Sequence, residues 1–262
     1  MTGHGTRFTA AIVRPPAASY AAGLTTATLG TPDLSLALAQ HAAYCAALEQ
    51  LGVRVTALPP DEAFPDSTFV ADTAVVTAHG AIVARPGAPS RAGEVATIRQ
   101  ALEARLGTVA AIAAPGTVDG DICQADRSFF IGVAHRTNEE GARQLADWLA
   151  RAGYSSCIID IRGNDALPHL KSGIAWLGGG DMVVADALAD HPALAGYRRM
   201  VVPADETYAS NCIRVNDAVL VAAGFPVVAA DIAGLGHRVV TLEMSEFRKM
   251  DGVLSCLSLR LP

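Results

Sequence analysis

The chain has 262 residues, of which 51% are hydrophobic and 18% are charged, and its formal net charge at pH 7 is −6. This composition is enough for a sizeable buried core and argues against disorder, while the negative charge argues against a general nucleic-acid surface. The amino terminus lacks the pattern of a secretory signal, and no apolar run is as long as a membrane span. We therefore expect a cytoplasmic protein without a membrane or nucleic-acid partner.

The five cysteines are odd in number and widely spaced, and no two of them form a C-x-x-C motif. This pattern indicates neither a disulfide framework nor a zinc cage, so we expect no metal site and no cofactor. A cysteine is interpreted as a small buried hydrophobe unless its surroundings indicate a reactive thiol. The cysteines are Cys45, Cys123, Cys157, Cys212 and Cys256.

The first predicted elements are a strand at 7–14, a helix at 31–52 and a strand at 53–59. Four predicted hairpins follow, because β-branched or aromatic residues lie on both sides of turn-forming residues. The hairpins are predicted at 68–85, 120–133, 173–186 and 211–224.

A helix is predicted after each hairpin. One of these helices begins with Thr137 and Glu140, which fit a capping box, and ends at Gly153. The four helices are predicted at 90–107, 137–153, 186–196 and 229–236. The strands that follow are predicted at 155–161, 198–204 and 237–243.

The order hairpin, helix, strand therefore recurs four times. A fifth copy is divided between the termini, because a half-buried strand at 253–261, with Cys256 near its start, can pair with the strand at 7–14. A repeat whose last copy is closed by both chain ends predicts a ring of five units. The interpretation is a single domain over residues 1–262, and the competing fold is a three-layer α/β sheet.

Polar residues precede each predicted hairpin at equivalent positions. In a five-unit ring these positions meet at one end of the pseudo-axis, where they form a cleft that holds carboxylates, an imidazole and a thiol. The sequence therefore predicts a cysteine–histidine site, although a buried structural role is the simpler interpretation of any one cysteine. The residues are Asp66, Asp72, Asp119, Asp121, His169, Lys171, Asn211 and Cys256.

A thiolate surrounded by carboxylates is electrostatically reasonable if the substrate is cationic at its reacting end. A guanidinium meets this condition, since its planar face pairs with carboxylates through two hydrogen bonds. His169 or the bound substrate would ionise Cys256, and His169 would serve as general acid and base. Arg91 and Arg136, each near a predicted helix start, would hold the carboxylate of an amino acid, unless they are surface residues.

Six segments in order, FPDSTFVADT, RPGAPSR, RTNEEGARQLADWL, HLKSG, SNCIRVN and DGVLSCLSLRL, resemble the dimethylarginine dimethylaminohydrolases. This family belongs to the guanidine-modifying pentein superfamily. The resemblance covers about residues 14 to 261 and implies a five-bladed α/β propeller. It also implies hydrolysis of methylated arginine to citrulline through a covalent thiouronium on the cysteine, and a homodimer is compatible with it.

The resemblance implies a role for individual residues. Cys256 is similar to the nucleophile and His169 to the proton donor, with Asp119 as the residue that orients His169. The remaining positions would bind substrate: carboxylates on the guanidinium side, Phe69 along the channel, the two arginines on the substrate carboxylate, and two backbone carbonyls near the α-amino group. These residues are Tyr20, Asp66, Phe69, Asp72, Arg91, Arg136 and Met250.

The sequence departs from the family pattern at two places. Ala71 stands where the family usually has Glu before the second aspartate, which leaves the selectivity for a guanidine open. The stretch from Val118 to Asp121 is one residue shorter than the usual spacing, so Asp121 is the alternative to Asp119 beside His169.

Two other functions fit these patterns less well. An arginine deiminase is one, although bacterial deiminases carry a helical insertion for which this chain has no room. A non-catalytic pentein that only binds its ligand is the other, although such proteins lack the cysteine and histidine that are both present here.

Overall fold

The computed structural model describes residues 6–164 and 167–262, and in this part of the chain the strands form five sheets of three strands each. In every sheet the first two strands are antiparallel and the third is parallel to its neighbour. The sheets are β15-β1-β2, β3-β4-β5, β6-β7-β8, β9-β10-β11 and β12-β13-β14, with strands β1 Ala10–Val13, β2 Arg54–Ala57, β3 Ala74–Thr77, β4 Gly80–Val83, β5 Ala110–Ala111, β6 Ile122–Ala125, β7 Ser128–Val133, β8 Ser155–Asp160, β9 Ile174–Gly178, β10 Asp181–Ala185, β11 Arg198–Val202, β12 Ile213–Val215, β13 Ala218–Ala222, β14 Arg238–Leu242 and β15 Leu259–Leu261.

A helix connects the second and third strands of four sheets and packs on the outside of its sheet. Helix α3 shows why: Leu145 and Leu149 lie one turn apart on one face, and both are completely buried. Burial of each such side chain contributes about 2 kcal/mol. The helices are α1 Leu34–Gln50, α2 Val95–Leu106, α3 Glu139–Arg151, α4 Pro226–Gly234 and the short α5 Ser245–Arg248.

The fifth sheet joins the two ends of the chain. Strand β15 is antiparallel to β1, with Ala10 opposite Leu261, and β1 is parallel to β2, with Ala10 opposite Arg54. The innermost strands lie side by side, β6 against β9, β9 against β12 and β15 against β3. The predicted five-bladed α/β propeller, with its last unit closed by the termini, is therefore confirmed.

Three local predictions were wrong. The segment 186–196 forms two 3₁₀ turns, Asp186–Leu188 and Pro192–Leu194, instead of one helix, because Pro192 has no N–H to continue the first turn. Cys256 lies in the 3₁₀ turn Leu254–Leu257, so the last strand begins after it.

The third wrong prediction is the capping box at the start of α3. Its cap is Asn138, whose side chain accepts from the N–H of Gly141, and Thr137 is free for other contacts. In residues 6–164 and 167–262, no helix has the length and apolar character needed to cross a bilayer.

Candidate active site

One end of the pseudo-axis is built from the short turns that lead into the innermost strands. The 3₁₀ turn Val70–Asp72 precedes β3, Leu170–Ser172 precedes β9, and Leu254–Leu257 precedes β15. Because the three strands surround the same axis and the turns all lie at one end of it, these turns bring Asp72, Lys171 and Cys256 together. The predicted convergence of polar residues is thus a consequence of the repeat.

The turns surround a cleft with about 370 Å³ of open space. Eight of the ten predicted site residues line it, and Asp119 and Tyr20 are the two that do not. The eight lining residues are Asp66, Phe69, Asp72, Arg91, Arg136, His169, Met250 and Cys256, and Leu24 and Lys171 also line the cleft.

Cys256 is 5% exposed, and its N–H donates to the carbonyl of Val253 within the turn. Burial raises the pKa of the Cys256 thiol, Lys171 lowers it and Asp72 raises it again, with the result above the ordinary value. The thiol form of Cys256 is therefore favoured at pH 7. A cation bound beside the sulfur would favour the thiolate.

Lys171 lies between Cys256 and Asp72, and sequence reasoning assigned it no function. Its Nζ donates to Oδ1 of Asp72, and it interacts electrostatically with the thiol. Burial would lower the pKa of Lys171, but Asp72 and Cys256 together hold it above its usual range. Lys171 is therefore a buried cation, 5% exposed, at the base of the cleft. Its position in HLKSG, two residues after His169, was the signal that could have identified it.

Asp72 is held by two cations. Its Oδ1 accepts from Lys171, and its Oδ2 accepts from Nη1 of Arg91 at 2.9 Å. Burial would raise the pKa of the Asp72 carboxyl, but Lys171 and Arg91 hold it below its usual range, so the carboxylate is ionised. Gly120 makes room for this pair, since a Cβ there would lie 2.5 Å from Oδ1 of Asp72 and 2.9 Å from Nζ of Lys171.

His169 is oriented by Asp121, and the preference for Asp119 at this contact was wrong. The Nδ1 atom of His169 lies 3.0 Å from Oδ1 of Asp121, which also accepts from the N–H of Leu170 at 3.1 Å. The second oxygen of Asp121 accepts from the hydroxyl of Thr137 at 2.7 Å. Asp119 instead faces Arg91, at 3.1 Å.

Arg136 lies on the other side of the His169 ring. Its Nη2 is in hydrogen-bond contact with Nε2 of His169. Arginine has donors only, so Nε2 must accept, and the ring carries its proton on Nδ1, where it donates to Asp121. The side chain of Arg136 is 31% exposed, and its Nε lies 3.8 Å from the otherwise unpartnered Oδ2 of Asp119.

Arg91 is placed differently from Arg136, although both were predicted to hold a substrate carboxylate. It is 2% exposed, and its N–H groups already donate to Glu94, Asp72, Asp119 and the carbonyl of Asp66. A substrate carboxylate would have to displace one of these acceptors. The structure therefore makes Arg91 a structural cation that fixes the carboxylates of the site.

Glu94 shares this arrangement with Arg91. Burial raises the pKa of the Glu94 carboxyl to about 7, although Arg91 acts to lower it. Both oxygens of Glu94 accept from the Arg91 guanidinium, at distances of 2.9 to 3.2 Å.

Asp66 fastens the segment that covers one side of the cleft. Its two oxygens accept from the N–H of Leu24, at 3.0 and 3.2 Å. Burial raises the pKa of the Asp66 carboxyl, although Arg91 and this N–H lower it. The same segment is held at its far side by Asp251, whose carboxylate accepts from the N–H of Thr26.

Phe69 and Met250 form an apolar wall of the cleft. Phe69 packs edge-on against Tyr20, with ring centroids 6.2 Å apart, and against Phe247 at 6.5 Å. Tyr20 itself lies behind this wall, 1% exposed, and its carbonyl accepts from the N–H of Gly23. A substrate amine would share that carbonyl with Gly23.

Asn211 ties together the turns that carry His169 and Cys256, a function that sequence reasoning did not assign. Its Nδ2 donates to the carbonyl of Lys171 at 2.6 Å and to the hydroxyl of Ser255 at 2.8 Å. Its Oδ1 accepts from the N–H of Ser255 at 3.0 Å. These three bonds fix the relative position of the two chemically important turns.

Ala71 does not line this cleft. It borders a cavity on the other side of Lys171, which Gly120 and Ser255 also line. A small side chain at position 71 therefore leaves the guanidinium side of the cleft unchanged. In the described part of the chain, no group of three or more His, Cys, Asp or Glu side chains is arranged to hold a metal ion.

The chain is similar to several known proteins, although no family model matches it. N(G),N(G)-dimethylarginine dimethylaminohydrolase of Pseudomonas aeruginosa is 43% identical over 251 residues, which cover 95% of this chain and 98% of that protein. The Streptomyces coelicolor protein of the same name is 35% identical over 254 residues and covers 96% of each chain. A solved structure of the P. aeruginosa protein, a cysteine-to-serine mutant in complex with citrulline, has 42% identity and a TM-score of 0.94 over 98% of this chain and 100% of that chain.

Proposed function

Because the chain belongs to the dimethylarginine dimethylaminohydrolase family, we propose that it hydrolyses Nω-methylated arginine to citrulline and an alkylamine. The observation that carries this proposal is the cleft in which Cys256 and His169 lie beside the carboxylates of Asp66 and Asp72. A thiol, an imidazole and two carboxylates suit a cationic, electrophilic carbon that must lose an amine.

The substrate binds with its guanidinium between Asp66 and Asp72 and its side chain along Phe69. Arg136 holds the α-carboxylate, because it is the partly exposed arginine of the pair and its hydrogen bond to His169 can be exchanged. The carbonyls of Tyr20 and Met250 lie near the α-ammonium. When Arg136 turns to the substrate carboxylate, Nε2 of His169 becomes free to take a proton.

The first half of the reaction begins with the neutral thiol. The guanidinium cation beside Cys256 favours its ionisation, and the thiol proton passes to Nε2 of His169, whose imidazolium is stabilised by Asp121. The thiolate attacks the guanidinium carbon and forms a C–S bond. His169 returns its proton to the alkylated nitrogen, the C–N bond breaks, and the amine leaves a cationic thiouronium on Cys256.

Water completes the cycle. His169, again neutral, takes a proton from the attacking water, and a C–O bond forms at the thiouronium carbon. The C–S bond then breaks, the proton on His169 returns to the Cys256 thiolate, and the protonated urea gives its proton to solvent and leaves as citrulline, while the amine released earlier takes up one proton from solvent. One water is consumed, and the substrate charge leaves as the alkylammonium.

The test is product analysis with asymmetric dimethylarginine, monomethylarginine and arginine offered in parallel. Citrulline and dimethylamine or methylamine are expected, and the Cys256→Ser variant should form neither. Ammonia from arginine as the main product would instead assign the chain to the deiminases. No turnover of any of the three, with a folded protein, would contradict the proposed substrate.

We also propose that the protein is a single catalytic domain that acts in the cytoplasm. We propose further that it forms a homodimer and that it does not bind nucleic acid. The net charge of −6 supports the last point, since it disfavours phosphate backbones. Sedimentation analysis of the purified protein tests the dimer, and a monomer at micromolar concentration would exclude it.

A further inference from the structure

A larger cavity begins behind Lys171 and Ser255 and extends along the pseudo-axis away from the cleft, and no function considered so far uses it. Its open space is about 720 Å³, and an adjoining lobe adds about 620 Å³. We call both lobes together the rear cavity. They share Phe8, Ile122, Gln124, Lys171, Ser255 and Arg260.

The wall of the rear cavity follows the five-fold repeat. Each innermost strand contributes at least one residue that is half-exposed while both of its chain neighbours are buried, and β6 contributes Ile122 in addition to Gln124. Side chains alternate along a strand, so five of these positions, one from each strand, form a ring that faces the cavity. The ring consists of Val76, Gln124, Trp176, Arg214 and Arg260.

The charge of this wall is positive, in a chain whose net charge is −6. Arg214 and Arg260 belong to the ring, Lys171 lies at its base, and Asp126, at an exposed turn, is the acidic residue among those that line the cavity. No ion pair joins either arginine to a carboxylate among the described residues.

Both arginines keep hydrogen-bond donors for a ligand. The guanidinium of Arg260 donates from Nη1 to the hydroxyl of Ser258 at 3.3 Å and also interacts with the hydroxyl of Tyr44. Its Nε has no hydrogen-bond partner in the described chain but is buried, so a ligand would bind at the terminal nitrogens of the group. For Arg214, the hydrogen bond within the protein is from Nε to the carbonyl of Asn216 at 3.2 Å. Two guanidinium groups with free N–H donors can bind a carboxylate through paired hydrogen bonds.

Aromatic rings hold the two guanidinium groups in place and add apolar surface. The Cζ atom of Arg214 lies 5.8 Å from the ring centroid of Trp176, and that of Arg260 lies 5.5 Å from the centroid of Phe8. Cation–π contacts of this kind orient an arginine without neutralising its charge. The wall thus combines unneutralised cations with aromatic and aliphatic surface.

We propose that the rear cavity is a second ligand site, which binds a small organic acid with its carboxylate on Arg214 and Arg260 and its apolar body against Trp176 and Phe8. An inorganic anion would leave the apolar wall uncovered, and an organic cation would be repelled by the arginines. The proposal is independent of the reaction at Cys256, because it rests on residues that do not line the cleft.

The experiment follows the fluorescence of Trp176 in a Trp148→Phe variant during titration with benzoate. The titration is repeated in an Arg136→Gln background, so that benzoate bound at the cleft does not contribute. We expect a saturable change with a Kd of about 1 mM or tighter. Benzylamine, with the same ring and the opposite charge, should produce no saturation.

Matched substitutions locate the ligand. Arg214→Gln and Arg260→Gln, separately and combined, should each raise the Kd for benzoate by about tenfold or more, whereas Arg54→Gln, on an exposed outer strand, should leave it unchanged. Circular dichroism establishes that each variant is folded. One folded variant at either arginine is sufficient to test whether that arginine binds benzoate.

Three results would overturn the proposal. They are the absence of saturation by benzoate, a benzoate affinity that Arg214→Gln and Arg260→Gln leave unchanged, and benzylamine or inorganic phosphate binding as tightly as benzoate. None of these results depends on the activity assay, so failure here is distinct from failure of the proposed hydrolysis.

Discussion

At the cleft end of the pseudo-axis, Lys171, Asp72 and Arg91 are paired with one another inside the protein, whereas Arg214 and Arg260 at the rear end have no carboxylate partner among the described residues. The same repeat builds both ends, so the difference comes from side chains alone. The paired charges are fixed before any ligand arrives, as catalysis requires. The unpaired ones keep their donors for a ligand.

The largest expected effect comes from removing the carboxylate that orients His169 at the cleft end. Asp121→Asn should lower kcat about 10³-fold, because the amide cannot stabilise the imidazolium of His169 and can impose the wrong tautomer. Steady-state kinetics with dimethylarginine measure this.

Asp119→Asn is the matched control, since Asp119 contacts Arg91 and Arg136 and has no hydrogen bond to His169. It should change KM more than kcat. A greater loss of kcat from Asp119→Asn than from Asp121→Asn would mean that Asp119, as predicted from the sequence, is the residue that orients His169.

Breaking the cleft-end pairing at Lys171 should have the next largest effect. Lys171→Met leaves Asp72 with one cation and removes the cation beside the thiol, so we expect kcat/KM to fall about 10²-fold and the protein to lose about 3 kcal/mol of stability. The pH at which iodoacetamide alkylates Cys256 at half its maximal rate should rise.

The control is Lys249→Met at the chain's other lysine, which is paired with Glu246 at a partly exposed position. It should cost less than about 1 kcal/mol. Equal effects of the two substitutions would contradict a special function for the buried lysine.

The raised pKa of Glu94 predicts that the free energy of unfolding depends on pH. Its folded pKa of about 7 lies above the ordinary value, so its stabilising contribution is complete below the ordinary pKa and is lost as the pH rises through about 7. Between about pH 5 and pH 8, the wild type should lose about 2 kcal/mol relative to Glu94→Gln.

Urea unfolding of both proteins across this range gives the difference. His41, whose pKa burial lowers to about 4, acts in the opposite direction below about pH 6.5, but it is present in both proteins and cancels. Parallel curves for the two proteins would show that Glu94 is ionised throughout.

The smallest expected effect connects the two ends. Ala71→Glu places a carboxylate in the rear cavity beside Lys171, where the added negative charge should raise the pKa of the Cys256 thiol. The iodoacetamide rate at pH 8 should fall by less than about tenfold, with little change in KM. A large rise in KM for dimethylarginine would mean that position 71 reaches the substrate after all.

The sequence by itself determined the ring and most of the cleft. Hairpin, helix and strand patterns are local, and a repeat closed by both termini leaves one arrangement in which equivalent turns meet. For that reason the sequence alone places Cys256, His169, Asp66 and Asp72 at one end of the axis, where the structure has them. The failures at 186–196 and at the start of α3 were also local, where Pro192 and Asn138 decided the turn.

Only the tertiary structure decided which charges pair. Asp119 and Asp121 are two residues apart, and which of them reaches His169 depends on the path of the chain at Gly120, where φ is +79°. Arg91 and Arg136 look equivalent in sequence, yet one is buried among carboxylates and the other is partly exposed. The physical reason is that electrostatic pairing acts through space over a few ångströms, a distance that the order of residues does not encode.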